Sequence, residues 1–285
     1  MAIFQNQATL SYNGNTVNSN ITTGEITEVL SATKTAVMND YTQNDDITYV
    51  ISIVNSGDVP FTDVTITDNL GAYSFGTQTL VPLTYTENSV RYYTDGSLKT
   101  TPTVSATDTE LVISNITVPA NGNAIIIYET TANRFAPPTT DGTITNEAVI
   151  TATGLATPLT VSSTVTAENT AVLTISKTVT PTVITENSQL TYTFIIQNLG
   201  NEEASANSNV IVTDTFAPVL NNLTVMFNGT LWTPNVNYTY VQATGLFETV
   251  AGQITVPPAT FTQDTTTGEY IVTPGIATLT VSGNI

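Results

Sequence analysis

Two of the chain's three lysines, Lys34 and Lys177, stand at matched places in a sequence with only five basic residues against 23 acids. Their settings are Ala-Thr-Lys-Thr-Ala and Ile-Ser-Lys-Thr-Val, 143 residues apart. Two asparagines, Asn6 and Asn146, and two aspartates, Asp68 and Asp214, are also matched. Lys, Asn and a carboxyl group together can make an amide between side chains. Burial disfavours the ammonium, so a buried Lys can be a neutral nucleophile. Burial also keeps an Asp protonated, able to polarise the Asn carbonyl and to shuttle protons as ammonia leaves. The expected pairs are Lys34 with Asn146 beside Asp68 in one copy, and Lys177 beside Asp214 with Asn6 of a neighbouring copy. The alternative is that both lysines are solvated or snorkelling residues and that Asn6 and Asn146 cap turns.

Other chemistries find little to work with. The chain has no Cys and no His, which excludes Ser-His-Asp and Cys-His catalysis and the usual zinc sites. No cofactor or metal is expected. Asp45, Asp46 and Asp63 offer oxygen ligands for calcium, but without a spaced loop motif they read as solvated turns. A paired-carboxylate hydrolase needs two acids set apart by position, and none are, so the chain is not read as an enzyme. A net charge of −18 argues against nucleic acid and anionic lipid as partners. No apolar run is long enough to span a bilayer.

The elements that must position these residues are strands. Charged residues make up only 10% of the chain, so the polar surface falls to Thr, Asn and Ser. Alternating segments recur, among them DITYVISIVN, ELVISNITV, NAIIIYET and LTYTFIIQN. NSG, PANGN, APPTTDG and NLGN punctuate them, as expected of a sandwich. Residues 31–57 match 174–200 at constant offset, pairing Lys34 with Lys177, Tyr49 with Tyr192, Asn55 with Asn198 and Gly57 with Gly200. VTITDNL matches VIVTDTF and brings Asp68 onto Asp214; ITVPA matches ITVPP. The repeat implies two copies of one structural unit.

This pattern of Lys-Thr, then LTYT with alternating Ile and Asn-x-Gly, then V-x-VTD resembles the conserved repeat of bacterial and archaeal surface proteins known as domain of unknown function eleven. The resemblance covers nearly the whole chain. It implies an immunoglobulin-like sandwich in extracellular stalks, adhesins and fibres. The Lys-Asn-Asp sets resemble the intramolecular isopeptide triad of Gram-positive pilins and adhesins, with Lys on the first strand of the sandwich, Asn on the last, and the two lying side by side.

One strand is out of place. NQATLSYNG (6–14) matches NEAVITATG (146–154), the last strand of repeat one, while GIATLTVSGNI (275–285) matches GNAIIIYETTA (122–132) with no last strand after it. The expected organisation is an N-terminal donor strand and linker (1–28), an immunoglobulin-like domain (29–154), a connection (155–170), and a second domain lacking its last strand (171–285). In the donor, Phe4, Asn6, Ala8, Leu10 and Tyr12 share one face, and Gln7, Thr9 and Ser11 the other. Residues 15–28, extended, reach about 48 Å and would have to double back past repeat one, so self-closure looks strained. Donation to a neighbour is head-to-tail and open-ended, giving a homopolymer. The expected protein is all-β, a structural subunit of an extracellular fibre on a cell or spore surface, its anchor undefined. The alternative is an adhesin or ligand-binding stalk module. MAIFQNQATLSYNG has neither a basic nor an apolar leader region, so export is expected after leader removal or by another route.

Overall fold

The computed structural model describes residues 2–26, 28–185 and 188–285. Among them the one helical element is a single 3-10 turn at Ala206–Ser208; the rest is strand and turn, as the alternation predicts. The chain forms two compact units. Unit 1 holds residues up to Ala136 together with Thr143–Thr166, and unit 2 holds Pro137–Gly142 and Ala167–Ile285.

Among the described residues, unit 1 contains two six-stranded antiparallel sheets besides smaller two-stranded ribbons. The first runs in the order Ser97–Leu98, Arg91–Thr94, β10 (Gly122–Ala132), β7 (Asp46–Asn55) and β5 (Leu30–Ala36), with Leu83–Tyr85 also on β10. The second runs Thr103–Ala106, β9 (Leu111–Val118), β8 (Phe61–Asp68), β11 (Thr143–Thr151), β12 (Leu159–Ala167) and β6 (Asp40–Tyr41). Burial alternates along β7, so that Ile47, Tyr49, Ile51 and Ile53 point inward. They meet Val64, Ile66, Leu111, Ile113 and Ile150 in the core. Each such side chain stabilises the unit by about 1.5–3 kcal/mol relative to exposure. The period of two puts Lys34, Asp68 and Asn146 on inward positions as well, since all three are buried.

Unit 2 repeats the first sheet: β13 (Leu173–Thr180), β14 (Gln189–Asn198), β18 (Gly275–Asn284), β16 (Asn221–Phe227) and Thr230–Leu231. Leu190, Tyr192, Phe194 and Ile196 fill its core with Phe247, Leu279 and Val281. The conserved-looking Asn-x-Gly of each repeat has a mechanical role. Asn198 accepts the Gly200 and Val172 N–H groups and donates to the Glu202 carbonyl. Asn55 likewise accepts from Gly57 and donates to Val59 and Pro119. Each buried side chain thus fastens the end of its own strand to the turn that follows.

The second sheet of unit 2 is short: β15 (Thr213–Thr215), β17 (Leu246–Thr249) and Tyr238–Val241. Among the described residues it has no counterpart of β11, β12 or β6.

Two boundaries differ from expectation. Residues 159–166, expected to be connection, pair along the whole of β11 and belong to unit 1. Residues 15–26, expected to be linker, are strands. β1 (Ala2–Asn6) pairs β4 (Thr22–Ile26), and β2 (Thr9–Tyr12) pairs β3 (Asn15–Asn18), so the N-terminus is a long hairpin. Its turn is Asn13-Gly14, both at positive φ (46° and 81°), which is the geometry that a two-residue hairpin turn selects. The Asn-Gly dipeptide is the sequence signal for this turn.

Candidate site: a buried lysine, aspartate and asparagine

The residues singled out in repeat one converge. Lys34 Nζ lies 2.6 Å from Asp68 Oδ2, and both side chains are wholly buried. Asn146 is buried beside them. The strands are arranged otherwise than expected, however. β5 and β11 are not neighbours: Lys34 comes from the first sheet, Asn146 and Asp68 from the second, and they meet across the core. β8 and β11 do pair directly, with Ala148 opposite Asp68.

Asp68 is held on both oxygens. Oδ1 accepts the Leu70 N–H at 2.9 Å, and Oδ2 accepts from Lys34 and from the Tyr128 hydroxyl. The sequence set Asp68 against the Asn146 carbonyl; here both carboxylate oxygens accept from other donors. Asn146 Oδ1 accepts the Gly71 N–H at 3.2 Å. The Asn146 amide nitrogen in turn donates to the Tyr128 oxygen at 3.4 Å. Gly71 has φ +74°, and a Cβ there would fall 2.6 Å from Ile144 Cγ2; a glycine is needed to bring this N–H to the amide. Tyr49 stacks on Tyr128 with centroids 5.6 Å apart, and Lys34 Nζ lies 4.9 Å from the Tyr49 centroid.

Burial sets the electrostatics. Desolvation brings the Lys34 ammonium down to about 8, against the opposing pull of Asp68 and, more weakly, Glu147. Burial, reinforced by the Asp68 charge, pushes the Tyr128 and Tyr49 hydroxyls up, so both stay protonated. The site can therefore present an amine near neutrality next to a proton acceptor, with an amide whose oxygen is already hydrogen-bonded. Sequence reading missed Tyr128 and Gly71. Tyr49 was noted only as a repeat match.

Unit 2 carries half of this arrangement. Lys177 and Asp214 form an ion pair, but their side chains are 39% and 17% exposed. Lys177 Nζ sits 4.5 Å from the Tyr192 centroid. Two members differ: Val281 stands where unit 1 has Tyr128, each opposite the repeat's tyrosine, and Ala217 where it has Gly71. Asn6, expected to complete this site, lies in the N-terminal hairpin opposite Thr22, exposed. The other donor-face residues, Phe4, Ala8, Leu10 and Tyr12, are exposed as well, Leu10 by 64%. Asp45 and Asp46 are turn and strand-end acceptors, bonded to Thr42 and to the Thr131 hydroxyl, and Trp232 is packed in the core of unit 2.

No family model matches the chain, and no curated protein matches its sequence. Solved structures resemble it distantly. The major pilin subunit BcpA of Bacillus cereus is 11% identical at TM-score 0.36, over 96% of this chain and 73% of that one. The pilus backbone RrgB of Streptococcus pneumoniae is 10% identical at TM-score 0.35, over 86% and 55%. The collagen-binding subdomain of the Enterococcus faecalis surface protein ACE is 13% identical at TM-score 0.33, over 50% and 99%. At these scores neither fold nor function is carried over. What assigns the chain to the immunoglobulin-like all-β class is its own strand pairing.

Proposed function

We propose that this protein is the structural subunit of an extracellular surface fibre, built of two copies of the surface-protein repeat that its sequence resembles. It polymerises head to tail as the N-terminal segment of one copy completes the second sandwich of the next. The observation that carries this reading is a matched surplus and deficit. Among the described residues unit 2 shows no counterpart of β11, and the N-terminal segment, whose sequence matches β11, leaves Phe4, Leu10 and Tyr12 more than half exposed. Ile175, at an inward position of β13, is 56% exposed where its counterpart Ala32 on β5 is partly buried, and Lys177 is exposed where Lys34 is buried. An open edge with an apolar groove beneath it favours strand addition.

In this reading Lys34 and Asn146 become joined. Lys34 passes a proton to Asp68, and its amine attacks Asn146 Cγ. The oxygen that gains charge keeps the Gly71 hydrogen bond. The Asp68 proton passes to the departing nitrogen as the Cγ–Nδ2 bond breaks, and Asp68 takes the second proton that Nζ sheds, so one ammonia is lost for each Nζ–Cγ amide formed and Asp68 ends protonated. Lys177 and Asn6 of the next copy form the corresponding bond at the junction.

Electron microscopy of the purified protein tests the assembly. Filaments should grow without any partner, and deletion of residues 1–14 should abolish them while unit 1 stays folded. A soluble monomer with a discrete ligand would instead make it an adhesin module.

A further inference from the structure

Resting on the donor reading above, we propose that the neighbour receives the whole N-terminal hairpin, both strands, and not a single strand. In unit 1 the last strand does not act alone. β11 covers the edge of β8, and β12 pairs with β11 over eight residues, from Thr143 opposite Thr166 to Ile150 opposite Leu159. β12 then closes the side of the sandwich. It pairs with β6, its Thr166 N–H bonds the Asn39 carbonyl at 2.9 Å, and Ser163 Oγ accepts the Ala36 N–H of β5 at 2.9 Å. One hairpin thus seals two edges.

Among the described residues, unit 2 is paired at neither. The counterpart of β8, residues 207–214, is in strand only from Thr213, and Ile211 is exposed. At the repeat offset the counterparts of Asp40 and Tyr41 are Val183 and Ile184. They are not in strand, and Val183 is 86% exposed, whereas Tyr41 is buried. A single donated strand covers the first edge and leaves the second bare.

The N-terminal hairpin matches the shape of the deficit. Asn6 faces Thr22 across it, as Asn146 faces Ser163 in unit 1; each amide has a hydroxyl residue opposite. Transferring the β11–β8 register residue by residue sets Ala8 opposite Asp214, Leu10 opposite Val212 and Ser11 opposite Ile211. Thr22 then stands where Ser163 stands, with its oxygen available to the Val179 N–H, the counterpart of that of Ala36. The hairpin is also pre-formed: Phe4 lies opposite Gly24 and covers it, since a Cβ at Gly24 would fall 2.4 Å from the ring. A donor already paired loses less entropy on docking than a free strand.

Hydrogen exchange on the full chain, as filaments and as dilute monomer, tests this. Hairpin donation predicts that amides of 209–213 and of Val179, Val183 and Ile184 all slow by roughly tenfold or more on assembly. Slowing at 209–213 alone overturns the hairpin and leaves single-strand donation standing. No slowing at either edge overturns both. The register has its own check: Ser11→Cys with Ile211→Cys should give an intermolecular disulfide under mild oxidation, and Ser11→Cys with Thr213→Cys should not. The reverse result overturns the alignment.

Discussion

At the residue scale, the buried Lys34–Asp68–Asn146 cluster is costly unless it does something, because desolvating an ion pair offsets most of its Coulomb attraction. If the amide forms, the intact monomer weighs one ammonia less than its sequence, and Lys34→Ala or Asn146→Ala removes that deficit; mass spectrometry reads it directly. In the Asn146→Ala background, where the amine survives, adding Lys34→Ala leaves Asp68 buried without its cation, a change on the order of 3–5 kcal/mol, visible in a denaturant melt. The pH dependence has a definite sign. In Asn146→Ala the amine survives, with a folded value of about 8 against 10.5 for the ordinary lysine. Between these values the unfolded chain binds more protons than the folded one, so stability rises with pH across that window. Above about pH 10 the raised tyrosines act the opposite way, since the unfolded chain then loses protons that the fold retains. Unfolding free energies of that variant between pH 7 and 9.5 should climb; those of the cross-linked wild type, which has no Lys34 amine left, should lack the Lys34 contribution.

At the element scale, the same strand sequence has two fates. In unit 1 Ile150 on β11 is fully buried, and replacing it with Asp should unfold the unit. Its N-terminal counterpart Leu10 is exposed, so Leu10→Asp should shift monomer stability by less than about 0.5 kcal/mol. It should nevertheless abolish filaments, because the charge would have to enter the groove beside Val212. Circular dichroism and microscopy on this one variant separate a packing role from a docking role. Gly24→Val should act through the hairpin instead, driving a branched side chain into Phe4 and slowing assembly.

At the scale of the whole molecule, the proposed donor and its proposed acceptor are different surfaces, so association through them would not close on itself. Covalent junctions would make the fibre's strength independent of the affinity of any one docking. Fibres boiled in denaturant should run as a ladder, and Lys177→Ala or Asn6→Ala should collapse it to monomer. Unit 2 has Val281 and Ala217 in place of Tyr128 and Gly71. The junction bond should therefore form more slowly than the one inside unit 1, measurable as ladder growth lagging the ammonia loss of the monomer.

Strand content, the two-fold repeat and the convergence of Lys34, Asp68 and Asn146 were legible in the sequence. Period-two burial and repeat offset are one-dimensional signals, and a chain with no His, no Cys and few charges leaves few rivals for chemistry. What the sequence could not set was which sheet each strand joins. Lys34 and Asn146 meet across the core and not along an edge, because β8, β11 and β12 pair in the second sheet while β5 stays on the first. Tyr128 and Gly71 enter the site for the same reason: their sequence positions are 18 and 75 residues from Asn146, and only the stacking of two sheets brings them to one amide. The pairing of the N-terminal segment with residues 15–26 likewise emerges from the fold, since it depends on what each backbone finds beside it.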